Sequence, residues 1–307
     1  MVRIAFIVGL AALAIAPLLA PWLQFVLTVA IAKGFAALGV AILLRAGLIS
    51  IGHAMFFAVS AYASAFLLRF GVTEFVAILL ISVIVSGIVG AIAGLFLVRY
   101  RAIFFAMLNL AISMVFYALF AKLYRVTGGT DGMPMPIPTL FGASLSEPVF
   151  KNILFYLSIG LMLAVGWLMH KYLQSPLGQA LAAVHTNEVR LEYIGVSVKR
   201  VLLVAYIISA VLAGIGGTIA GFAIGRVIPD FAFWTASGHL VLVAVLGGIG
   251  GIAGAFIGAL FLELLHTVAV TITDAWNFIV GAVLIGVIMF LPQGLYGLLT
   301  RRKVSVK

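Results

Sequence analysis

No cysteine occurs among the 307 residues, so disulfides, iron–sulfur clusters and thiolate-held metals are excluded. Charge is scarce as well: 8% of residues are Asp, Glu, Lys or Arg, against about 25% in a soluble globular domain. Gly-Lys is missing among the 33 glycines, so there is no phosphate loop of the GxxxxGK[ST] type, and if ATP powers the protein another subunit holds the ATP. His53, His170, His185, His239 and His266 form no HExxH or other close ligand pair, and no Ser, His and Asp constellation is suggested. Without clustered groups to serve as nucleophile, base or ligand, no catalytic residue, metal or cofactor is expected.

What is present is apolar surface. The chain is 65% hydrophobic, with a mean hydropathy of +1.32, which makes it an integral membrane protein. A net charge of +10 would suggest nucleic acid in a soluble chain, but in a membrane chain excess Lys and Arg mark cytoplasmic loops, and no nucleic acid partner is expected. Runs long enough to cross a bilayer predict an all-α polytopic protein of about ten spans, near 4–20, 24–44, 52–70, 75–98, 102–121, 152–170, 200–223, 235–246, 252–272 and 275–291. Two are weak: the third is interrupted around Gly52 and His53, and the eighth is too short to cross alone. Both read as broken or re-entrant, a state tolerated where protein covers the backbone. Arg3, the apolar run behind it and Ala14-Ile15-Ala16 also imitate a secretory signal, leaving open whether the first segment is cleaved.

With Arg3 inside, the inner ends and loops hold Arg3, Arg45, Arg99, Arg101, Lys171, Arg190, Lys199, Arg200, Arg301, Arg302, Lys303 and Lys307. The outer ones hold Arg69, Lys122, Arg125, Lys151 and Arg226. Twelve against five puts both termini in the cytoplasm of a multi-pass protein. The whole of 1–307 is read as a single transmembrane domain, with a long outer loop at about 122–151 and a long inner loop at about 172–199. Spans two to five begin outside and spans seven to ten inside, the arrangement of an inverted repeat, although the halves share no convincing sequence identity.

Three intramembrane features stand out. Lys33, Glu263 and His266 are ionisable groups inside spans, expected to snorkel or to pair at a subunit interface or the outer rim. Gly247, Gly248, Gly250, Gly251, Gly254 and Gly258 cluster at a span start, and Gly250, Gly254 and Gly258 at four-residue spacing predict a smooth stripe for close helix packing. Gly52, His53, Phe56, Phe57 and Tyr62 place small, aromatic and hydrogen-bonding groups beside a break in a span, where transporter pathways are often built.

The loops carry two further patterns. In the outer loop, Gly128, Gly129 and Gly132 around Asp131 predict a tight turn with positive φ values, where Asp can bond its own backbone. In the inner loop, "SPLGQALAAVHTNEVRLEYIG" reads as two short helices joined near His185 and Thr186. Ser175 is the N-cap with Pro176 at the first helical position, and Ala180, Leu181 and Val184 line one face. Thr186 or Asn187 caps the second helix, which carries Glu188 in its first turn and ends at Gly195, a left-handed C-terminal position. Glu188 and Glu192 repel on one face, so a basic partner surface explains them better than solvent.

Four stretches together resemble the permeases of the branched-chain amino acid class of bacterial ABC importers, the member of the pair with the longer outer loop. They are "GLISIGHAMFFAVSAYASAFLL" at 47–68, "VTGGTDGMPMPIP" at 126–138, "SPLGQALAAVHTNEVRLEYIGVSVKR" at 175–200 and "VLGGIGGIAGAFIGALFLELL" at 245–265. The resemblance implies a ten-span type II importer fold in the bacterial inner membrane. It also implies a second homologous permease, two cytoplasmic ATP-binding subunits and an external solute-binding protein, together moving branched-chain or other hydrophobic amino acids inward. In that setting the inner loop is a coupling helix docked on the ATPase, through Gly178, Ala182, Asn187, Glu188, Arg190, Leu191, Glu192 and Gly195. Gly128, Gly129, Asp131 and Gly132 are assigned to the binding-protein contact or the outer gate. Ser60 stands where relatives carry the Gly of a "GAY" triplet, and Ala255 where a Pro often follows the glycine run. Both departures bear on the substrate, since relatives of the same pattern carry urea, short amides or aromatic acids. An ion-coupled secondary carrier is the remaining alternative.

Overall fold

The computed structural model describes residues 20–291 and 294–300. The segment expected at 4–20, with Arg3, and the basic residues Arg301, Arg302, Lys303 and Lys307 lie outside the described residues. Thirteen α-helices follow one another among those described: α1 (Pro21–Leu44), α2 (Ala54–Arg69), α3 (Phe75–Leu97), α4 (Ala102–Lys122), α5 (Tyr124–Thr127), α6 (Glu147–Gln174), α7 (Pro176–Thr186), α8 (Glu188–Tyr193), α9 (Val198–Ile224), α10 (Trp234–Gly247), α11 (Ile252–Ile272), α12 (Trp276–Phe290) and α13 (Gly294–Thr300). Six of them, α1, α3, α4, α6, α9 and α11, are long and apolar enough to cross a membrane, while α2, α10 and α12 are shorter apolar helices. The protein is therefore an all-α polytopic membrane protein.

In a bilayer the apolar effect does not sort a helix's faces, because lipid is as apolar as a core; side-chain size does. On α3 the large residues Leu80, Ile84, Ile88, Ile92 and Leu95 are exposed, while Ser82, Ser86, Gly90 and Gly94, spaced by four, are buried. A Cβ on Gly90 would overlap the Ala210 side chain, so the stripe lets α3 lie directly against α9. The centre is built the same way. Residues 26–43 of α1 are buried except Lys33, and α9 packs against α1, α2 and α3. On α9, Cβ atoms at Gly216 and Gly217 would overlap the backbone oxygens of Ala32 and Phe57, and one at Gly39 of α1 would sit 2.6 Å from Ser209 O. Gly39 lies beside Ser209 and Ala32 beside Gly216, so α1 and α9 run antiparallel.

Both halves follow one order of lengths: a long buried helix (α1, α9), a short one (α2, α10), then a long one (α3, α11). The short helices are entered in mirrored fashion. Residues 48–53 are non-helical and bring His53 to Ser209 O, eleven residues into α9 and about 16 Å along it. From the opposite side, the stretch before α10 carries Ala232, whose carbonyl accepts from Ser113 Oγ in the middle of α4 (2.8 Å). The weak spans at 52–70 and 235–246 are thus shortened helices, each preceded by backbone that dips into the protein. Their starts meet: Ala54 N, in the first turn of α2, donates to Ser237 Oγ in the first turn of α10 (2.9 Å). That hydroxyl meets one of the donors a helix start leaves over.

The intramembrane charges depart from expectation. Lys33 and Glu263 pair with each other across α1 and α11, Nζ to Oε2 at 2.7 Å, in mid-helix and not at the outer rim. A single partner within reach is cheaper than stretching either side chain to an interface. His266 instead sets its ring edge against Trp276, 4.4 Å between centroids. The glycine stripe is also shifted. Gly247, Gly254 and Gly258 make the close α10–α11 contact, where Cβ atoms would overlap backbone, whereas a Cβ on Gly250 would meet nothing within 4 Å.

Gly217→Val should cost stability at the upper end of the roughly 1–3 kcal/mol of overpacking, because backbone and not a flexible side chain stands in the way. Gly281→Ala, with open space around it, should leave the thermal midpoint in detergent unchanged or raised.

Candidate functional site

At one end of the helix bundle, in the loop expected on the inner side, α7 and α8 form as their caps dictate. Ser175 Oγ accepts from Gly178 N (3.3 Å), and Asn187 Oδ1 accepts from Arg190 N (3.0 Å), so the second cap is Asn187. The pair ends in a Schellman motif, with Val196 N bonded to Leu191 O, Gly195 N to Glu192 O and Gly195 at φ 84°. Gly178 is required where α7 folds back on α6, since a Cβ there would overlap Tyr172 O. Leu181, Val184 and Leu191 are buried under the pair, while Ala182, Asn187, Arg190, Glu192 and Gly195 are exposed.

The helix pair is tied to both inner loops of the first half. Glu188 Oε1 accepts from Arg101 Nε at 2.7 Å, so the basic partner expected for this acid is partly supplied by the chain itself. Arg101 also donates to Val98 O and Tyr100 O, and Ala102, which follows it, starts α4 at φ 48°. That is the left-handed region, costly for a residue with a Cβ. The His185 ring lies over Gly47, φ 75°, leaving no room for a side chain there. Nearby, burial lowers the Arg45 pKa, with the Tyr296 charge opposing the shift. Sequence reasoning passed over the exposed apolar residues of this region. Val189 is 60% exposed, Tyr193 87% and Ile194 70%, which outside the membrane marks a surface for a protein partner. Their apolar character in a polar loop was the available signal.

At mid-depth, His53 and Phe56 touch, while Gly52, Phe57 and Tyr62 each meet residues of other elements, and all five are interior residues of this chain. Gly52 lies against the Asn109 carbonyl, and His53 bridges Ser50 Oγ (3.3 Å) and Ser209 O (3.1 Å). Phe56 stands edge-on to His53 and Tyr206, whose hydroxyl donates to Asn109 Oδ1 (2.6 Å). Phe57 contacts Phe231, and Tyr62 stacks on Phe120 at 4.1 Å, its buried hydroxyl without a hydrogen-bond partner among the described residues. Ser60 fits because it faces Gly217 and donates to Phe57 O (3.0 Å). Ser64 Oγ donates to Ser60 O and lies within hydrogen-bond distance of Ser82 Oγ and Thr218 Oγ1, which satisfies the polar groups joining α2, α3 and α9.

In the loop expected on the outer side, Gly128, Gly129 and Gly132 have φ values of 74°, 56° and 71°. Asp131 receives Tyr124 Oη at its carboxylate (3.3 Å) and Arg226 Nη1 at its carbonyl (3.0 Å). Strand β1 (Met133–Pro134) pairs antiparallel with β2 (Arg226–Val227), so the outer loop is fastened to the stretch that leads into α10.

The model of the family described as "Branched-chain amino acid transport system / permease component" matches residues 22–289. The chain is 26% identical over 282 residues to the high-affinity branched-chain amino acid transport system permease protein LivM of Escherichia coli (strain K12), covering 85% of this chain and 66% of that relative. It is 28% identical over 200 residues to the LivH permease protein of Salmonella typhi, 61% of this chain and 63% of LivH. It is also 35% identical over 179 residues to the autoinducer 2 import system permease protein LsrC of Klebsiella pneumoniae, 53% of this chain and 48% of LsrC. The chain thus spans about two thirds of the length of the LivM proteins it matches. No solved structure matches it significantly.

The Arg101–Glu188 pair is about one-third exposed on each side, so Glu188→Ala should cost under about 1 kcal/mol of global stability. Hydrogen exchange should nonetheless quicken in α8, and the swap R101E/E188R should restore protection.

Proposed function

The chain belongs to the family of branched-chain amino acid transport system permease components, and from that premise we propose that it is the transmembrane permease subunit of a bacterial ABC importer. In this reading it forms half of a translocation route for branched-chain or other hydrophobic amino acids across the inner membrane. A second homologous permease supplies the other half, two cytoplasmic ATP-binding subunits hydrolyse ATP, and an external solute-binding protein delivers the substrate. Residues 1–307 make one permease domain of about ten spans with both termini cytoplasmic, and α1–α4 and α9–α12 are inverted repeats. The mirrored entries of α2 and α10 support the repeat.

What carries the reading is the α7–α8 pair. A membrane protein has no use for a rigid, doubly capped helical pair presenting Val189, Tyr193 and Ile194 to water unless a partner covers them. Its ties to the loops at Gly47 and Arg101 suit a coupling element that passes ATPase closure to the spans. The burial of Gly52, His53, Phe56, Phe57 and Tyr62 favours a supporting role: they hold the half-helix that lines the route. Gly128, Gly129, Asp131 and Gly132 shape the surface offered to the binding protein.

Leu191→Pro should disrupt α8 by about 3 kcal/mol locally while the spans still insert. The variant should reach the membrane and lose ATPase association, or hydrolyse ATP without uptake; normal transport would reduce the segment to a connector. On the other face, Asp131→Ala should weaken capture of the loaded binding protein, and unchanged complex formation and uptake would remove the outer-loop assignment.

A further inference from the structure

Three helices each bring ionisable groups to one level of the membrane. Lys33 is the single charged residue of α1, about 18 Å from Pro21 and about 17 Å from Leu44 along the axis. Glu263 is the single acid of α11, about 17 Å from Ile252 and about 14 Å from Ile272. His239, in the short helix α10, lies within electrostatic reach of both Lys33 and His266. The group therefore sits at mid-depth, beside a helix that itself begins inside the protein.

The ion pair is incomplete. Lys33 Nζ has three donors and, among the described residues, one hydrogen-bond partner, Glu263 Oε2 at 2.7 Å. Glu263 Oε1 accepts no hydrogen bond there. The Lys33 side chain is 31% exposed and that of Glu263 11%, so the pair opens on the surface of the chain. Acyl chains cannot satisfy an ammonium with free donors, which is why such groups face water or protein. Midplane ionisable groups beside a discontinuous helix are where transporters place substrate sites.

We infer that Lys33 and Glu263 form a binding station for the charged head of a zwitterionic α-amino acid. The substrate carboxylate takes a free donor of Lys33, and its ammonium donates to Glu263 Oε1. A cation and an anion side by side, each with an open valence, match both charges of a zwitterion, whereas the neutral C=O and N–H groups of urea or a simple amide make only the weaker bonds of a charge to a neutral partner. The inference rests on the permease reading and adds to it the two residues that hold the substrate's charged head.

The test uses the assembled importer in liposomes, with its second permease, ATPase subunits and binding protein, and a radiolabelled amino-acid mixture as the probe. K33Q/E263Q removes both charges, so neither is left unpaired, and K33E/E263K keeps a pair with its order reversed. Both should assemble, with thermal midpoints within about 3 °C of wild type, while uptake falls at least about tenfold. Lys33→Arg, which keeps a donor cation, should stay within about threefold. The corresponding losses in transition-state binding are of the size of a charge-assisted hydrogen bond. Wild-type uptake by either double variant overturns the proposal and makes the pair structural. So does loss of the second permease from K33Q/E263Q, which would make it a subunit contact, or failure of both variants to fold. A wild-type complex that carries urea or acetamide but no amino acid leaves the permease reading standing and overturns the zwitterion site; one that carries nothing overturns both.

Discussion

The backbone-to-backbone approach of α1, α2 and α9 is the constraint on which everything else in the molecule rests. It exists because Gly39, Gly216 and Gly217 carry no Cβ where the neighbouring carbonyls of Ser209, Ala32 and Phe57 pass. Close approach of this kind maximises dispersion contact in a medium that gives helices no apolar reason to associate. It also brings backbone oxygens within reach of side chains on other helices, so that Ser86 Oγ can donate to Ala210 O (2.8 Å) and His53 can meet Ser209 O. Bulkier residues at the three glycines would remove both kinds of contact together.

That tight centre makes the two broken spans affordable. Non-helical backbone at membrane depth must find hydrogen bonds inside the protein. Here Ser237, Ser113 and Ser50 supply oxygens or donors to the ends of α2 and α10 and to the turns before them. The short helices start at the same level, and the ion pair of Lys33 and Glu263 lies at the middle of the helices beside them. Irregular backbone and mid-depth charge are each costly in lipid, and both are concentrated here in one layer.

How much of this was legible in the residues depends on the range over which each feature is encoded. Run length alone located the six long apolar helices, and the interruptions near His53 and at 235–246 marked two shorter ones, because hydropathy is a local property. Caps were equally local: Ser175, Asn187 and Gly195 act where they stand in the chain. Contacts between distant residues were not readable. Lys33 and Glu263 are 230 positions apart, and nothing near either names the other. The face each apolar span turns inward was hidden too, since helices such as α1 are apolar all round and show no stripe. That is why Gly250 was counted with Gly247, Gly254 and Gly258 among the packing glycines, and why residues 52–62 did not declare themselves as interior.

The inner helix pair and the mid-depth layer are joined by two continuous runs of contacts. One passes from Glu188 through Arg101 to the start of α4, whose Asn109 lies under Gly52 and whose Ser113 holds the Ala232 carbonyl ahead of α10. The other passes from His185 over Gly47 along residues 48–53 to His53 and the start of α2. Each run ends on one of the two half-helices, and Ser237 links their first turns. A displacement of α7 and α8 therefore bears on both half-helices at once, through a helix on one side and a short non-helical segment on the other. The left-handed Ala102 sits at the head of the helical run, where the chain turns from Arg101 into α4. Backbone held in a costly conformation persists where its surroundings over-determine it, and here those surroundings are the three hydrogen bonds of Arg101, one of them to the helix pair itself. Loosening Glu188 removes one of those restraints, so the same contact that ties down α8 also helps to hold the turn from Arg101 into α4.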